Sequence, residues 1–594
     1  MRSRVELTVI SVERSFFEKF PRLAEGRARS FSQPVVELLR KIAGEERIRS
    51  TLAEFGALSG FDFVERVLEH FQVRYQSSNT ARDNIPAEGR LVIVANHPLG
   101  ALDALALLHL IGTVRRDVRI LANDVLAQLT QLSSLLLPVN VFGGAGAGAR
   151  LRGAYRALEA EQALIVFPSG EVSRLGPQGV RDARWSSGFV RLARHAGAPV
   201  LPVHIAAYNS PTFYGLSLLA KPLSSLLLVR EAFGAAKANI GVQIGETVPV
   251  AEITATKRSP EHVAAAMRRH VYQLARRRPD VFATSRAIAH PESPLALRNA
   301  LQRAEILGHT SDGKRILLVD AQPDCPVLRE IGRLRELAFR RVGEGTGARR
   351  DVDRFDLHYR HLVLWDEHAL AIVGAYRLGE GASILPQRGL AGMYTSTLFD
   401  YAAAAREVLI NGAELGRSFI QPAFWCSRSL EYLWQGIGAY LRQRPHLRYL
   451  IGPVSLSAAL PADARAWIVH CHAHYFGADP ALARPLHAYE VPAHIAAEAR
   501  SAWAGKDVRS GLAELKRRLV QLGCAVPTLY RHYVDLCEPD GVRFLGFGTD
   551  PAFANCVDGL ICLDLAQLKA AKRARYLGES AVSSHVTKLT RVSC

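Results

Sequence analysis

Four short apolar runs, spaced along the first third of the chain, place the strongest constraint on its fold. The runs cover residues 91–95, 118–122, 163–167 and 200–205. Such runs are typical of strands buried on both faces, and the segment 99–110 has the length and apolar content of a helix. Strands that alternate with helices predict a mostly parallel α/β sheet. We place this α/β domain at residues 76–285, after an N-terminal helical region at 1–75.

The second half follows a different pattern. Residues 286–312 begin with Pro, Ser and His in no clear period, which predicts a linker. A helical segment at 327–341 is followed by two adjacent strand segments, 361–365 and 369–377. Adjacent strands without a helix between them indicate an α+β domain with antiparallel pairs. We place this second domain at 313–594, including a basic, polar tail.

Composition excludes several classes of protein. Of 594 residues, 48% are hydrophobic and 22% charged, which is ordinary for a globular protein and excludes a largely disordered or collagen-like chain. No purely apolar run reaches the ~18 residues that a transmembrane helix needs. The nearest approach, residues 213–229, contains Lys221 and Pro222. It lies either on a bilayer face or in two short buried helices, and burial is the more frequent outcome.

The charge of the chain predicts its class of partner. A formal net charge of +18 and a pI near 9.7 favour an acidic partner, either nucleic acid, anionic lipid or an acidic carrier protein. The eight Cys residues all lie at or after Cys325 and form no CxxC pair, so we interpret them as reduced thiols. The first residues lack the apolar core of a secretory signal. We therefore expect a cytoplasmic protein.

A histidine and an aspartate stand where the first apolar run ends. Asn96 and His97 follow that run directly, and Asp103 lies six residues after His97 on the predicted helix. A carboxylate in this position can orient the imidazole and stabilise it as it removes a proton. No nucleophilic Ser or Cys adjoins the pair, so the chemistry would be direct attack by a substrate hydroxyl with His97 as general base. The alternative is a capping histidine beside a surface aspartate.

A second polar motif follows the third apolar run. It reads Phe167-Pro-Ser-Gly-Glu-Val-Ser-Arg174, and Gly170, Glu171 and Arg174 would emerge at the carboxyl end of the sheet. Together the two motifs resemble those of the glycerolipid O-acyltransferases, in a divergent branch sometimes labelled haemolysin-like. The resemblance covers residues 70–280. It implies that His97 is the base, that Asp103 orients it, and that Asn96, Gly170, Glu171 and Arg174 bind the acceptor.

A series of charged residues distinguishes the second half. The series comprises Arg335, Asp351, Asp353, Asp356, Arg377, Glu414 and Arg417. With the segment 433–438, their order and spacing resemble the GNAT-fold N-acyltransferases that use acyl carrier protein, more closely ornithine N-acyltransferases than acyl-homoserine lactone synthases. Glu414 is a candidate base for an α-amine that attacks a thioester. The aspartates and arginines could hold the amino acid or form an internal acid network.

The resemblance also implies the acyl donor. Relatives that use acetyl-CoA carry a basic residue or Gln where Leu433 stands here, followed by glycines whose amides hold a pyrophosphate. A donor without that pyrophosphate, an acyl carrier protein, is therefore expected, with acyl-CoA as the alternative. Such carriers are acidic, which suits the net charge of +18. His470, Cys471, His472 and His474 lack a second ligand pair, so no bound metal or cofactor is expected, and no nucleic-acid-binding motif is evident.

Joined in this order, the halves resemble the bifunctional ornithine lipid synthases. The resemblance implies N-acylation of ornithine, or a similar amino acid, with a 3-hydroxyacyl chain by the second domain. O-acylation of the resulting hydroxyl by the first domain would follow, on the inner membrane surface. The alternatives are a lysophosphatidate-type acyltransferase, an N-acyltransferase with another amino acid, a non-catalytic membrane-binding protein, and a nucleic-acid-binding protein.

Overall fold

The chain forms two compact units in a computed structural model, Met1–His290 and Pro291–Cys594. The structure describes residues 55–122, 129–138, 147–219, 239–254, 259–276, 278–478 and 482–578. The division falls inside the segment 286–312, which contributes a helix, Pro294–Leu301, and a strand, Glu305–His309, to the second unit. Most of the predicted N-terminal helical region, 1–54, and the end of the basic tail, 579–594, lie outside the described residues.

The first unit is built on a seven-stranded sheet. Its strands and an added hairpin are β1 (Arg74–Gln76), β2 (Leu91–Ala95), β3 (Val118–Ala122), β4 (Leu136–Pro138), β5 (Ala163–Val166), β6 (Arg174–Gly176), β7 (Gly179–Arg181), β8 (Val200–Ala206) and β9 (Asn239–Ile244). The sheet order is β1-β9-β8-β2-β5-β3-β4, and every pair is parallel except β8 with β9. Strands β6 and β7 form a separate antiparallel pair.

Helices cover this sheet. They are α1 (Gly60–His70), α2 (Asn79–Arg82), α3 (Ala101–Gly112), α4 (Ala147–Glu159), α5 (Gly188–Ala196), α6 (Pro211–Leu219), α7 (Val250–Thr254) and α8 (Pro260–Leu274). All five residues of β2 are buried, and they contribute alternately to two hydrophobic clusters. A strand buried on both faces needs apolar side chains throughout, which explains its unbroken apolar sequence. The predicted α/β class is thereby confirmed.

The second unit is built on an eight-stranded sheet of order β10-β11-β12-β13-β15-β16-β19-β18. The strands of this sheet are β10 (Glu305–His309), β11 (Arg315–Asp320), β12 (Arg360–Asp366), β13 (Ala371–Glu380), β15 (Gly412–Ile420), β16 (Tyr449–Leu456), β18 (Val542–Asp550) and β19 (Cys556–Asp564). Strands β14 (Phe399–Tyr401) and β17 (Ala483–Pro485) form a separate antiparallel pair. The pairs are antiparallel except β15 with β16. The predicted α+β class is confirmed.

Ten helices of more than one turn accompany this sheet within the described residues. They are α9 (Pro294–Leu301), α10 (Pro326–Val342), α11 (Gly381–Arg388), α12 (Arg406–Ile410), α13 (Ser429–Arg442), α14 (Ala462–Phe476), α15 (Ala493–Trp503), α16 (Val508–Gln521), α17 (Thr528–Val534) and α18 (Ala570–Leu577). Pro326 starts α10, and Gly343 ends it with a φ of 78°, which suits glycine.

The parallel pair β15–β16 has the shortest register in this sheet. Only Gly412, Ala413 and Glu414 pair with β16, and beyond Glu414 the two strands no longer match. Arg417 adopts a φ of 49°, and the pairing of β15 with β13 shifts at the same place. Such a bulge re-aims side chains. The bulge therefore lies in the part of β15 that is no longer paired with β16, where the predicted site residues Glu414 and Arg417 lie.

Two further expectations concern membranes. Within the described ranges, no helix is both long and apolar enough to span a bilayer. Helix α6 covers the start of the apolar segment 213–229, and Phe213 there is fully buried. Residues 220–229 lie outside the described residues.

Candidate active sites

The first site lies where β2 ends and α3 begins. The Asn96 side chain donates to the backbone oxygen of Ile205 (2.8 Å) and accepts from its N–H (2.7 Å), which ties the loop to β8. His97 Nδ1 lies 3.3 Å from Asp103 Oδ2. The His97 side chain is 18% exposed and that of Asp103 is fully buried. The two residues therefore meet as expected, with the imidazole at the edge of solvent and the carboxylate behind it.

Asp103 is held by the first turn of α3. Its Oδ2 accepts the backbone N–H groups of Leu99 (2.7 Å) and Gly100 (3.1 Å). Burial raises the pKa of Asp103, while His97 and the two amides favour the charged form. The Phe167 ring stacks on the imidazole with centroids 4.2 Å apart. This packing fixes the ring, so that Asp103 can hold one nitrogen while Nε2 is left for a substrate.

The second predicted motif lies beside the first. The Ser173 N–H donates to the His97 backbone oxygen at 2.8 Å. Arg174 pairs with Glu171 at 3.3 Å and also donates to the hydroxyl of Ser217. Gly170 adopts a φ of 67° in the turn that follows β5, a conformation that favours glycine. An arginine and a backbone turn in this position can bind an anionic or hydroxyl-bearing acceptor.

Sequence reasoning missed the residue that joins these segments, Asp182. Its Oδ1 accepts from the His97 N–H (3.1 Å) and from the Ser173 hydroxyl (2.5 Å), and its Oδ2 accepts from the Trp185 indole (2.8 Å). Its own N–H donates to the Tyr272 hydroxyl at 2.8 Å. Asp182 is buried, so these bonds satisfy a charge that would otherwise be costly. No motif spacing predicted this role for Asp182, because the residue reaches His97 only through the turn of the β6–β7 hairpin.

In the second unit, the predicted charged residues form one buried network. Arg335 donates to Asp356 at 2.7 Å, and Arg377 donates to Asp353 at 2.7 Å and to Asp356 at 3.3 Å. Although burial raises the pKa of Asp356, Arg335 and Arg377 bring it below its usual range. His361 Nδ1 lies 3.4 Å from Arg335, and burial lowers the pKa of this histidine to about 4. The network is therefore an internal one of fixed charges.

Arg417 and Asp351 extend this network towards the opening of β15. Arg417 lies 3.2 Å from Asp351 and 3.7 Å from Asp353. Its guanidinium packs over the Tyr394 ring at 4.8 Å and over the Phe553 ring at 4.9 Å. Burial raises the pKa of Asp351, and Arg417 opposes that shift. Arg417 therefore makes cation–π contacts with two aromatic rings in addition to its ion pairs with the aspartates.

Glu414 stands on β15 where the pairing with β16 ends. It is 1% exposed, and it accepts from the Thr395 N–H (3.2 Å) and hydroxyl (2.9 Å). Burial raises the pKa of Glu414 to about 7, against the opposing charge of Arg377. A carboxylate with that pKa can exchange a proton near neutral pH. Glu414 therefore stays a candidate base, and nothing in its sequence neighbourhood indicated its burial.

The histidine-rich segment belongs to α14. His472 is fully buried, and its Nδ1 lies 2.7 Å from the Ile468 backbone oxygen within the same helix. Burial lowers the pKa of His472 to about 4 and raises that of Cys471 to about 12. Among the residues that the structure describes, no three His, Cys, Asp or Glu side chains are placed to hold a metal ion.

Comparison with known protein families agrees with this division. An acyltransferase family model matches residues 14–278, and an acetyltransferase (GNAT) domain model matches residues 334–435. A lyso-glycine lipid O-acyltransferase of Bacteroides thetaiotaomicron is 30% identical over 251 residues, which is 40% of this chain and 89% of the relative. The chain belongs to the acyltransferase family. Its second unit adds a GNAT domain, so this acyltransferase is bifunctional.

Relatives of the second unit are N-acyltransferases. A glycine Nα-acyltransferase of Phocaeicola vulgatus is 27% identical over 311 residues, which is 50% of this acyltransferase and 94% of the relative. An L-ornithine Nα-acyltransferase of Brucella abortus is 35% identical over 143 residues, which is 21% of this chain and 49% of the relative. The chain therefore spans about half the length of that ornithine relative.

Proposed function

We propose that this acyltransferase makes ornithine lipid in two steps. The second unit transfers a 3-hydroxyacyl chain from acyl carrier protein to the α-amine of ornithine. The first unit then transfers a second acyl chain to the 3-hydroxyl of that product. The observation that carries the proposal is the presence, in one chain, of a His97–Asp103 pair suited to an alcohol and a buried Glu414 suited to an amine. The product of the second unit holds the hydroxyl that the first would attack.

The N-acylation step uses Glu414 as the base. The attacking amine forms a bond to the thioester carbon, the carbon–sulfur bond breaks, and the amine proton passes to Glu414 directly or through water. A pKa of about 7 leaves Glu414 partly ionised at neutral pH, as that role requires. Arg377 and Arg417 would hold the acceptor carboxylate or keep the surrounding aspartates ionised.

The O-acylation step uses His97 as the base. His97 Nε2 would take the proton of the acceptor hydroxyl as its oxygen attacks the thioester carbon, while Asp103 stabilises the imidazolium. The carbon–sulfur bond then breaks, and the imidazolium returns the proton to the leaving thiolate. Asn96, Gly170, Glu171 and Arg174 would bind the acceptor, because they lie in the two motifs that the Ser173–His97 bond joins. The site roles in both units are supported by these contacts.

The net charge supports the donor and the place of action. A charge of +18 favours an acidic carrier protein and an anionic membrane leaflet. We therefore propose acyl carrier protein as the donor partner of the second unit and a peripheral position on the inner membrane, facing the cytoplasm. Acyl-CoA is the alternative donor.

Glycine is the second candidate for the amino acid. Two glycine Nα-acyltransferases match half of this chain, whereas the ornithine relatives match about a fifth of it. The same two-step scheme with glycine in place of ornithine would yield a glycine lipid. A lysophospholipid as the acceptor of the first unit is a further alternative, supported by the acyltransferase model alone.

A reconstituted reaction tests the proposal. The full-length protein is incubated with labelled ornithine, 3-hydroxyacyl carrier protein, a second acyl donor and vesicles that contain anionic lipid, and products are followed by mass spectrometry. The expected product is diacylated ornithine. His97→Ala should accumulate the monoacylated form, and Glu414→Ala should abolish both products. Diacyl product from the His97 variant, or no N-acylated amino acid from the unaltered protein, would contradict the proposal.

A further inference from the structure

Two arginines of the first unit contact the same aromatic ring. Arg181 ends β7 and Arg268 lies on α8, and their guanidinium carbons lie 4.9 Å and 5.4 Å from the centre of the Tyr272 ring. Such a cation–π contact positions a guanidinium group without using its N–H donors. Arg181 and Arg268 are the arginine pair.

The arginine pair adjoins the loop that carries His97. Arg268 donates to the backbone oxygen of Asp182 at 2.6 Å, and Asp182 Oδ1 accepts from the His97 N–H at 3.1 Å. Tyr272 contacts the same aspartate, because its hydroxyl accepts from the Asp182 N–H at 2.8 Å. Asp182 therefore connects the arginine pair with the histidine that we propose as the base for O-acylation.

No carboxylate forms an ion pair with the arginine pair within the described ranges. Arg181 donates to the neutral side chain of Gln178 at 3.1 Å, and Arg268 Nε is buried without a hydrogen-bond partner. Both oxygens of the Asp182 carboxylate already accept hydrogen bonds from other groups. Two half-buried positive charges against one ring are costly, and an anion between them would offset that cost.

The strand pairing of the hairpin adds a third positive charge. Arg181 of β7 pairs directly with Arg174 of β6. Paired residues of antiparallel strands carry their side chains on the same face, and like charges in such positions repel each other. Glu171 lies 3.3 Å from Arg174 and offsets only one of the two charges. This face of the hairpin therefore carries an excess of positive charge.

A buried histidine adds a further polar group. His204 of β8 is 9% exposed, and its ring makes a T-shaped contact with the Tyr272 ring, with centroids 5.6 Å apart. Its Nδ1 is buried and has no partner among the described residues, although buried polar atoms usually have one. Burial, and then the charge of Arg181, lower the pKa of His204 to about 4, so the ring is neutral. With its hydrogen on Nδ1, His204 can donate to an anion beside Tyr272.

We infer that the arginine pair and His204 bind the head-group carboxylate of the O-acylation acceptor. This inference rests on the proposed O-acylation at His97. A guanidinium group presents a planar fork of N–H donors that matches the two oxygens of a carboxylate. The N-acylated amino acid carries such a carboxylate whether the amino acid is ornithine or glycine.

The chemistry of that acceptor suits the link through Asp182. Only an amide and one carbon on each side of it separate the carbon that bears the 3-hydroxyl from the carboxylate. The hydroxyl and the carboxylate are therefore close in space, as are the His97 loop and Arg268, which contact the same aspartate. A carboxylate bound at the arginine pair would restrict where the hydroxyl lies, and such positioning favours its attack.

Paired acceptors test the inference. The full-length protein is given an acyl carrier protein loaded with an acyl chain, and N-(3-hydroxyacyl)ornithine or its carboxamide in neutral phosphatidylcholine vesicles; the two glycine compounds are assayed in the same way. The unaltered protein should prefer the carboxylate in kcat/KM by at least about tenfold, as expected for a charge-assisted hydrogen bond. Arg181→Gln and Arg268→Gln should each remove most of that preference by raising KM for the carboxylate, while the rate with the carboxamide is maintained.

A matched control and a phosphate acceptor complete the experiment. Arg66→Gln should leave the preference unchanged, because Arg66 is an exposed arginine of α1 that also lies over an aromatic ring, that of Phe55 at 5.7 Å. Guanidinium groups bind phosphate as they bind carboxylate. Lysophosphatidate is therefore assayed as a third acceptor, and the series is repeated in vesicles that contain anionic lipid.

The outcomes separate this binding site from the proposed function. Equal use of carboxylate and carboxamide by the unaltered protein would overturn the site and leave O-acylation standing. An equal loss of both acceptors in Arg181→Gln would assign the arginine pair a structural role and overturn the inference. Preference for lysophosphatidate over every carboxylate, or discrimination only with anionic vesicles, would assign the arginines to a phosphate instead. Failure to acylate any acceptor would overturn the proposed O-acylation as well.

Discussion

Asp103 and Glu414 are both almost completely buried carboxylates, yet their surroundings give them different properties. Asp103 accepts two backbone N–H groups and faces a histidine, which favours its charged form against burial. Burial raises the pKa of Glu414 to about 7, although Arg377 and the hydrogen bonds from Thr395 oppose that shift. A carboxylate in contact with a histidine suits an orienting role, whereas one that titrates near neutrality suits proton transfer.

The raised pKa of Glu414 predicts the pH dependence of N-acylation. The base must be ionised to act. On the acidic side of the pH profile, kcat/KM for the amine acceptor should therefore rise with pH and level off above about pH 7. This rise is the acidic limb of the profile. Glu414→Gln should lower the rate by about 100-fold or more and lose this limb. Initial rates between pH 5 and pH 9 measure it, about two units to either side of the pKa. An unchanged limb in the variant would contradict the role of Glu414 as base.

The contact between Asp103 and His97 predicts a selective loss of O-acylation. Asp103→Asn keeps an oxygen for the amides of Leu99 and Gly100 but removes the charge that stabilises the imidazolium. We expect kcat for O-acylation to fall by about 100-fold or more, with N-acylation unchanged. Product ratios by mass spectrometry measure both steps in one reaction. A parallel loss of both activities would indicate a folding defect instead.

At the scale of the elements, the loops that follow the strands determine the positions of the side chains in the first site. The β6–β7 hairpin returns the chain so that Asp182 reaches the loop after β2 and Ser173 after β5. One buried charge thereby holds two loops that come from different strands. Its hydrogen bonds involve both carboxylate oxygens, which makes a neutral replacement costly.

Removal of that charge should loosen the site and the first unit together. Asp182→Asn should lower the free energy of unfolding of the first unit by about 1–3 kcal/mol and raise KM for the O-acylation acceptor. Denaturant unfolding and acceptor titrations measure the two effects. Asp62→Asn, an exposed position on α1, is the matched control. If the variant retains both its stability and its KM, Asp182 does not position the His97 loop.

The sequence predicted the strands of the first unit, but it did not predict the contacts between residues that are far apart in the chain. Strands buried in a parallel sheet are mostly apolar, so β2, β3, β5 and β8 were predicted within a residue or two. Predicted neighbours such as His97 and Asp103 meet because one helix turn connects them. Asp182 lies 85 residues from His97 along the chain, and only the return of the chain through the β6–β7 hairpin brings the two together. The φ of Arg417 has no sequence signal either, because a bulge arises from strand pairing.

At the scale of the whole molecule, each unit carries its own sheet, its own hydrophobic clusters and its own candidate site. His97 and Asp103 belong to the first unit, and Glu414 belongs to the second. Every contact described for each site is made by residues of the same unit. The two chemical steps therefore need no shared residue, and a variant that has lost one step should retain the other.

That independence predicts complementation between two inactive proteins. His97→Ala should stop after N-acylation and Glu414→Gln before it, so neither alone should form the diacyl product. A mixture of the two should form it on shared vesicles, after a lag in which monoacyl product accumulates, because one protein supplies the hydroxyl that the other acylates. Time courses by mass spectrometry measure the lag, and a double His97→Ala/Glu414→Gln variant is the control. Monoacyl product that accumulates in the mixture without being converted would mean that the intermediate never leaves the chain that makes it.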